Sequence, residues 1–190
     1  GGDVPIGVNI YDLATTEMVS GEVITMVGYG RSGTGTGGGY TVGSSLTVKR
    51  SGENVAQLNG LSPDDEGSGV NEVFFYDFDD PSTFDPLDPN GQNGGSLGND
   101  RETTTGPGDS GGPSFIDDGA GGYLLAGINT FVFGSEAAFG SGGGGMLVGA
   151  YTDWINSIVG TTELQITEPA PLAILLMGLG MISLRRRSVA

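Results

Sequence analysis

The chain has 190 residues, enough for one ordinary domain and a short appendage, and 38 of them are glycines. Its formal charge is −16, from 7 basic and 23 acidic residues, and because such a surface repels phosphate backbones, nucleic-acid binding is excluded as an expected function. The absence of cysteine and histidine excludes disulfides, thiol chemistry and a histidine general base from these residues.

The predicted elements are short strands joined by glycine-rich turns. Alternating apolar residues at 4–10 indicate a strand or an extended crossover, and further strands are expected at 22–29, 40–48, 70–78, 123–132 and 145–151. Most of 62–101 is rich in turn-forming residues and is expected to form long surface loops. One apolar stripe at 151–159 predicts a short amphipathic helix. This pattern predicts an all-β sandwich or barrel over residues 1–160.

The composition changes after Gly160. Residues 161–167 have the character of a linker, and 168–190 contain an uncharged apolar stretch that ends in three arginines. As a helix, residues 170–184 would span roughly 22 Å, whereas a bilayer core needs about 30 Å. This favours transient membrane insertion by a targeting segment over a single-pass anchor, which is the alternative. The arginines favour the cytoplasmic side, so residues 1–160 are expected on the opposite face.

The strongest chemical signal is the run Gly-Pro-Gly-Asp-Ser-Gly-Gly-Pro at 106–113. A nucleophilic serine needs an exposed hydroxyl and backbone N–H groups directed at one point, and flanking glycines permit the necessary turn. In such a loop the N–H groups of Gly108 and Ser110 can form an oxyanion hole, where one donor typically contributes about 2.7–4 kcal/mol to transition-state stabilisation. The alternative is a plain Gly/Asp/Ser turn between two strands.

Residues 108–113 resemble the nucleophile loop of the chymotrypsin/trypsin family of serine proteases. Residues 22–31 resemble the strand that opens that family's second β-barrel, residues 125–131 the strand after the serine, and residues 151–155 the start of the C-terminal helix. The pieces occur in family order across residues 4–160. The resemblance therefore implies the second six-stranded antiparallel β-barrel of a trypsin-like protease, followed by a short helix, with the first barrel absent.

The resemblance also implies roles and a substrate class. Ser110 attacks the scissile carbonyl of a polypeptide, the N–H groups of Gly108 and Ser110 bind the oxyanion, and Asp109 pairs with a freshly released α-amino group. The substrate pocket would be formed by Thr104 at its floor and by Thr130, Phe131 and Val132 on its walls. Because this floor is uncharged and Val132 stands where many relatives have glycine, we expect a small or medium apolar side chain to bind.

The family's catalytic triad needs a histidine and an aspartate, and this chain has no histidine. We therefore expect the first barrel upstream of Gly1, so that the chain is a fragment or a processed product and is inactive alone. Asp3 is the one conceivable triad aspartate near the start, but it lies too close to Gly28. Asp109 would lack its amino-terminal partner, and because an unpaired buried carboxylate costs about 3–5 kcal/mol, we expect an unstable or zymogen-like half.

Two secondary signals concern ligands and sorting. Asp77, Asp79 and Asp80 lie in an acidic region that could bind Ca²⁺, although solvated acidic turns are the alternative and no other cofactor is expected. Residues 167–187 resemble the PEP-CTERM sorting signal of Gram-negative bacteria, with Thr167 in place of the first proline. That resemblance implies an exosortase-like sorting enzyme as a partner, and export to the cell envelope, cell surface or extracellular space.

Two functions remain open at this stage. The first is an exported serine endopeptidase of which this chain is the second barrel and the sorting tail. The second is a protease-like surface or matrix protein that has lost its base and acts as a binding module.

Overall fold

The computed structural model describes residues 9–15, 18–58, 71–80, 96–98, 100–134 and 137–159. These residues form eight strands, one turn of 3₁₀-helix and one α-helix. The strands are β1 (Val23–Gly28), β2 (Ser32–Gly33), β3 (Tyr40–Val42), β4 (Arg50–Val55), β5 (Val73–Phe78), β6 (Pro113–Asp117), β7 (Tyr123–Phe133) and β8 (Ser141–Leu147). The 3₁₀ turn covers Val148–Tyr151, and the helix α1 covers Thr152–Val159.

Six strands form one antiparallel sheet in the order β4-β1-β6-β7-β8-β5. The sheet curls so that its two edge strands approach each other. This is shown by two backbone hydrogen bonds, of 2.7 and 3.0 Å, between Gln57, just after β4, and Phe75 on β5. The prediction of an all-β, six-stranded antiparallel architecture with a short terminal helix is confirmed. Strands β2 and β3 form a separate two-stranded hairpin, which the sequence pattern did not indicate.

The predicted strands differ from the structure at several places. Strand β6 was not predicted, and the strand expected at 145–151 lies at Ser141–Leu147, with the 3₁₀ turn in place of its last four residues. Of the strand expected at 40–48, only Tyr40–Val42 pairs, because the Ser45 hydroxyl accepts the N–H groups of Thr47 and Val48 and so turns the chain. Strand β4 was not predicted, because Arg-Ser-Gly-Glu-Asn-Val has no apolar alternation. It nevertheless pairs with β1 along its whole length.

The core lies inside the curled sheet, and the strand period of two decides which residues face it. Ile24 and Met26 of β1 are buried, as are Phe74 and Tyr76 of β5. Ile116, Ala126 and Leu147 belong to the same cluster, as do Ala14, Met18 and Ala56 from outside the strands. The prediction of a buried strand at 22–29 is therefore confirmed, and the strand expected at 70–78 is present as β5.

Strand β8 begins with four consecutive buried glycines after Ser141, at 142–145. Backbone carbonyls and aromatic rings of the neighbouring strands take the space where side chains would stand. A Cβ on Gly144 would lie 2.6 Å from the ring Cζ of Phe131, for example. This close approach lets the Phe131 ring of β7 pack against the strand, where it also contacts the Phe75 ring at a centroid distance of 5.5 Å.

Helix α1 confirms the short helix predicted at 151–159. Among the residues that the structure describes, no helix has the length and apolar character needed to cross a bilayer. The chain divides into two compact units, Gly1–Asp153 and Trp154–Ala190. Asp3, the linker at 161–167 and the sorting segment at 168–190 lie outside the described residues.

Candidate active site

Ser110 lies in a tight loop that leads directly into β6, and its side chain is exposed. The glycines on both sides of it adopt left-handed backbone angles, with φ of +99° at Gly108 and +82° at Gly111. Residues with a Cβ rarely adopt such angles. At Gly108 a Cβ would also meet the Ser44 hydroxyl at 3.0 Å. The two glycines are thus what allows the chain to turn and leave the Ser110 hydroxyl at the surface.

The backbone N–H groups of Gly108 and Ser110 have no hydrogen-bond partner among the described residues. The neighbouring N–H groups of Asp109, Gly111 and Gly112 are engaged, by the carbonyls of Gly106, Asn129 and Asp109 at 3.0, 2.8 and 2.9 Å. The two unengaged donors are therefore left to bind a ligand. They are the pair expected for the oxyanion hole, a role that stays a prediction.

The side chain of Asp109 turns away from Ser110 and binds the backbone. Its Oδ1 accepts the Gly30 N–H at 2.6 Å, and its Oδ2 accepts the Gly106 N–H at 2.9 Å. The expectation that this carboxylate has no partner is therefore wrong, whereas the expected instability of the chain stays a prediction. Backbone amides supply hydrogen bonds that the sequence could not show, because Gly30 is 79 residues away. An additional ion pair with an α-amino group stays a prediction.

The chain makes room for this carboxylate with glycine. A Cβ on Gly30 would lie 2.6 Å from the Asp109 Oδ1 atom. The Gly30 peptide is held in turn by Arg50, whose Nη1 donates to the Gly30 carbonyl at 2.8 Å, and the next N–H, of Arg31, donates to the Pro107 carbonyl at 3.0 Å. Asp109 is thereby anchored on one side of the Ser110 loop.

A cavity of about 110 Å³ opens beside Ser110. Its lining residues are Thr105, Gly106, Pro107, Ser110, Asn129, Thr130, Phe131 and Val132, none of which carries a charge. The structure thus brings Ser110 together with three of the predicted pocket residues, Thr130, Phe131 and Val132.

Thr104, predicted at the pocket floor, lies elsewhere. It lines a neighbouring cavity of about 70 Å³ on the Asp109 side, and Thr105 takes the place expected for it beside Ser110. Thr105 lines both cavities, so it lies between them, whereas Thr104 lines only the one on the Asp109 side of this pair.

The Thr105 hydroxyl is hydrogen-bonded to the hydroxyl of Tyr76 at 2.6 Å. Tyr76 is fully buried, and burial raises the pKa of its hydroxyl above the usual value of 10.0. The phenol therefore stays protonated at neutral pH. This hydroxyl pair holds Thr105 in place at the cavity wall.

Asn129 and Thr105 were not predicted as site residues. For Asn129 the sequence carries a usable signal, because it is a polar residue in the apolar run Leu-Leu-Ala-Gly-Ile-Asn of a strand. A buried polar side chain in such a position must be hydrogen-bonded, and Asn129 is only 2% exposed.

The described residues contain no group of three or more acidic side chains placed to hold a metal ion. Asp77 is buried, and its Oδ1 accepts the Gln57 Nε2 amide at 2.7 Å. The calcium site at Asp77, Asp79 and Asp80 stays a prediction.

No protein-family model matches the chain. No curated protein matches it either. Among solved structures, the chain is similar to mouse neuropsin, described as a serine protease expressed in the limbic system of the brain. The identity is 18% and the TM-score 0.51, and the match covers 83% of this chain but 56% of that one. This likeness shows the fold: a curled antiparallel half-barrel of the trypsin-like kind, spanning little more than half the length of the matching protease.

Proposed function

We propose that the chain is the nucleophile-bearing half of a serine endopeptidase that hydrolyses peptide bonds through an acyl-enzyme. The observation that carries this proposal is the surroundings of Ser110. An exposed hydroxyl stands on a glycine loop with two unengaged N–H groups, beside an uncharged cavity, in a trypsin-like fold.

In the proposed reaction the Ser110 Oγ attacks the carbonyl carbon of the scissile peptide, and its proton passes to a base. The carbonyl oxygen gains negative charge, which the N–H groups of Gly108 and Ser110 stabilise. The tetrahedral intermediate collapses, the C–N bond breaks, and the amine leaves with a proton returned by the base. Water then repeats the sequence on the ester and releases the acid.

The proton acceptor is not a histidine of this chain, since the 190 residues contain none. A triad with a histidine base therefore needs that histidine from outside these residues. An oxyanion hole and binding groups without the triad typically retain about 10³–10⁴-fold acceleration over water, a small part of the full effect. We accordingly expect these 190 residues alone to be inactive.

The cavity beside Ser110 indicates the class of substrate. It has no charged lining residue to pair with Arg or Lys, and Val132 projects into it from β7. A volume of about 110 Å³ suits a small or medium apolar side chain next to the scissile bond.

Hydrolysis of peptide p-nitroanilides tests the proposal. It is measured with the full-length protein, meaning these 190 residues together with any sequence that adjoins them in the natural protein. Substrates that differ only in the residue before the scissile bond (Ala, Val, Phe or Arg) are compared. We expect cleavage of the Ala or Val substrate, no preference for Arg, and a loss of at least 10³-fold in Ser110→Ala. Equal rates in Ser110→Ala and the parent would rule out the endopeptidase.

The absence of histidine favours one second candidate, a protease-like binding module. The same substrates distinguish it. A full-length protein that binds a peptide with the same affinity before and after Ser110→Ala, and cleaves none, is the binding module.

The sorting proposal concerns the tail outside the described residues. We propose export, transient membrane insertion by residues 170–184 and removal of the end by an exosortase-like enzyme. Mass spectrometry of the mature C-terminus tests it, and retention of Arg185–Arg187 would instead indicate a plain anchor.

A further inference from the structure

Asn129 makes four hydrogen bonds with the residues that follow Ser110, two through its backbone and two through its side chain. Its backbone carbonyl accepts the Gly111 N–H at 2.8 Å, and its N–H donates to the Gly112 carbonyl at 2.9 Å. Its side-chain Oδ1 accepts the Ser114 hydroxyl at 2.7 Å, and its Nδ2 donates to the Pro113 carbonyl at 3.4 Å. One residue of β7 thus binds four consecutive residues of the loop and strand after the nucleophile.

The side-chain part of this arrangement is not required by the sheet. Strand pairing uses the backbone alone, and an apolar residue would fill the same position without desolvating an amide. Here both polar partners are buried, with Ser114 at 0% and Asn129 at 2% exposure. The hydrogen bond between these two buried side chains favours one arrangement of β7 relative to the start of β6, because other arrangements leave a buried donor or acceptor unsatisfied.

The segment that it holds begins with two glycines. Gly111 and Gly112 have the largest conformational freedom of any residue type, and Gly111 has a left-handed φ of +82°. On its other side Ser110 is anchored through Asp109, whose carboxylate binds the Gly30 and Gly106 amides. Ser110 therefore stands between two anchors, and the Asn129 anchor is the one that also lines the cavity beside it.

We propose that Asn129, acting with Ser114, is a positioning residue for the nucleophile: it sets the direction of the Ser110 hydroxyl and N–H relative to the substrate cavity. This inference rests on the proposed endopeptidase function. A displacement of about 1 Å at a reacting group costs roughly 10²-fold in rate, so the effect on chemistry is expected to exceed the effect on substrate binding.

The test measures the rate of Ser110 acylation by a fluorophosphonate probe, together with kcat and KM, in the full-length protein. Asn129→Ala is expected to lower acylation and kcat roughly 10- to 100-fold and to change KM less than threefold. The matched control is Asn54→Ala. Asn54 is a second buried asparagine, 1% exposed, whose Nδ2 binds the Asp77 and Thr103 carbonyls at 2.6 and 2.7 Å. We expect Asn54→Ala to lose similar thermal stability with acylation within twofold of the parent.

A double variant separates positioning from folding. Replacing both buried partners, in Asn129→Val with Ser114→Ala, leaves no side-chain group of the pair unsatisfied, so stability is expected to recover relative to Asn129→Ala. Acylation is expected to stay at least tenfold below the parent. Recovery of the acylation rate along with stability would overturn the inference, as would Asn129→Ala that acylates as fast as Asn54→Ala.

If the parent protein never reacts with the probe, the proposed endopeptidase function is wrong, but the role of Asn129 in fixing the loop after Ser110 is still open to test. Amide exchange of Gly111, read by NMR, then decides that claim. We expect its N–H to exchange at least tenfold faster in Asn129→Ala and at the parent rate in Asn54→Ala, and equal exchange in all three proteins would overturn it.

Discussion

Removing the Asp109 carboxylate is expected to destabilise the chain substantially, because two buried backbone donors lose their acceptor. The Gly30 and Gly106 N–H groups bind it at 2.6 and 2.9 Å. Hydrogen bonds to charged groups contribute about 1.5–3 kcal/mol each. Since Asp109 is half-buried, we take the lower end and expect a loss of about 3 kcal/mol in Asp109→Ala.

In a domain of this size 1 kcal/mol corresponds to about 2–4 °C in Tm, so the expected decrease is roughly 6–12 °C. Thermal unfolding followed by circular dichroism measures it. Asp109→Asn keeps one acceptor oxygen and is expected to lie between the parent and Asp109→Ala.

Asp118 supplies the matched control. It also accepts two backbone N–H groups, from Ala120 and Gly122 at 2.7 and 2.8 Å, and these hydrogen bonds lower the pKa of its carboxyl. It is exposed, however, so water replaces the lost acceptor and we expect a much smaller change in Tm for Asp118→Ala. The reasoning is refuted if Asp109→Ala lowers Tm no more than Asp118→Ala. A rise in Tm would mean that the carboxylate is unpaired after all.

Two further predictions concern the packing behind the site. Gly144→Ala places a methyl group against the Phe74 backbone carbonyl and 2.6 Å from the Phe131 ring, and it is expected to cost about 1–3 kcal/mol by denaturant unfolding. Gly43→Ala, with open space around it, should change stability little, and equal effects of the two substitutions would contradict the packing argument. Because burial raises the pKa of Tyr76, its stabilising contribution is complete below about pH 10, where the unfolded tyrosine ionises, and is lost as the pH rises towards the folded pKa. Tyr76→Phe should therefore cost about 1 kcal/mol at pH 8 and lose less stability than the parent between pH 9 and 11, and parallel pH curves would contradict this.

The sequence predicts the local chemistry of this chain better than its long-range contacts. The loop around Ser110 could be predicted because the turn on each side of the nucleophile needs backbone angles that favour glycine. The glycines that meet this need are visible in a short motif. The strands around Ile24 and Phe74 could also be predicted, because the apolar residues that they bury are visible within each segment. Strand β4 could not, because its place in the sheet comes from its pairing with β1 rather than from its own apolar residues.

The environment of Asp109 shows why the rest could not be predicted. Its acceptor role depends on backbone N–H groups, which every residue other than proline carries, so no residue type marks them in the sequence. The exchange of Thr104 for Thr105 at the cavity has a similar origin. Which of these two threonines reaches the cavity beside Ser110 depends on how the whole segment packs, and the alignment of a short motif does not fix it.

Covalent labelling tests most directly whether Ser110 is the nucleophile of a serine protease. The full-length protein is treated with a fluorophosphonate probe, digested and sequenced by mass spectrometry. We predict one adduct, on the Ser110 hydroxyl, with the label abolished in Ser110→Ala and retained in Ser44→Ala, which removes a neighbouring exposed serine. Failure of the folded parent to react, or an adduct that persists in Ser110→Ala, would contradict the assignment.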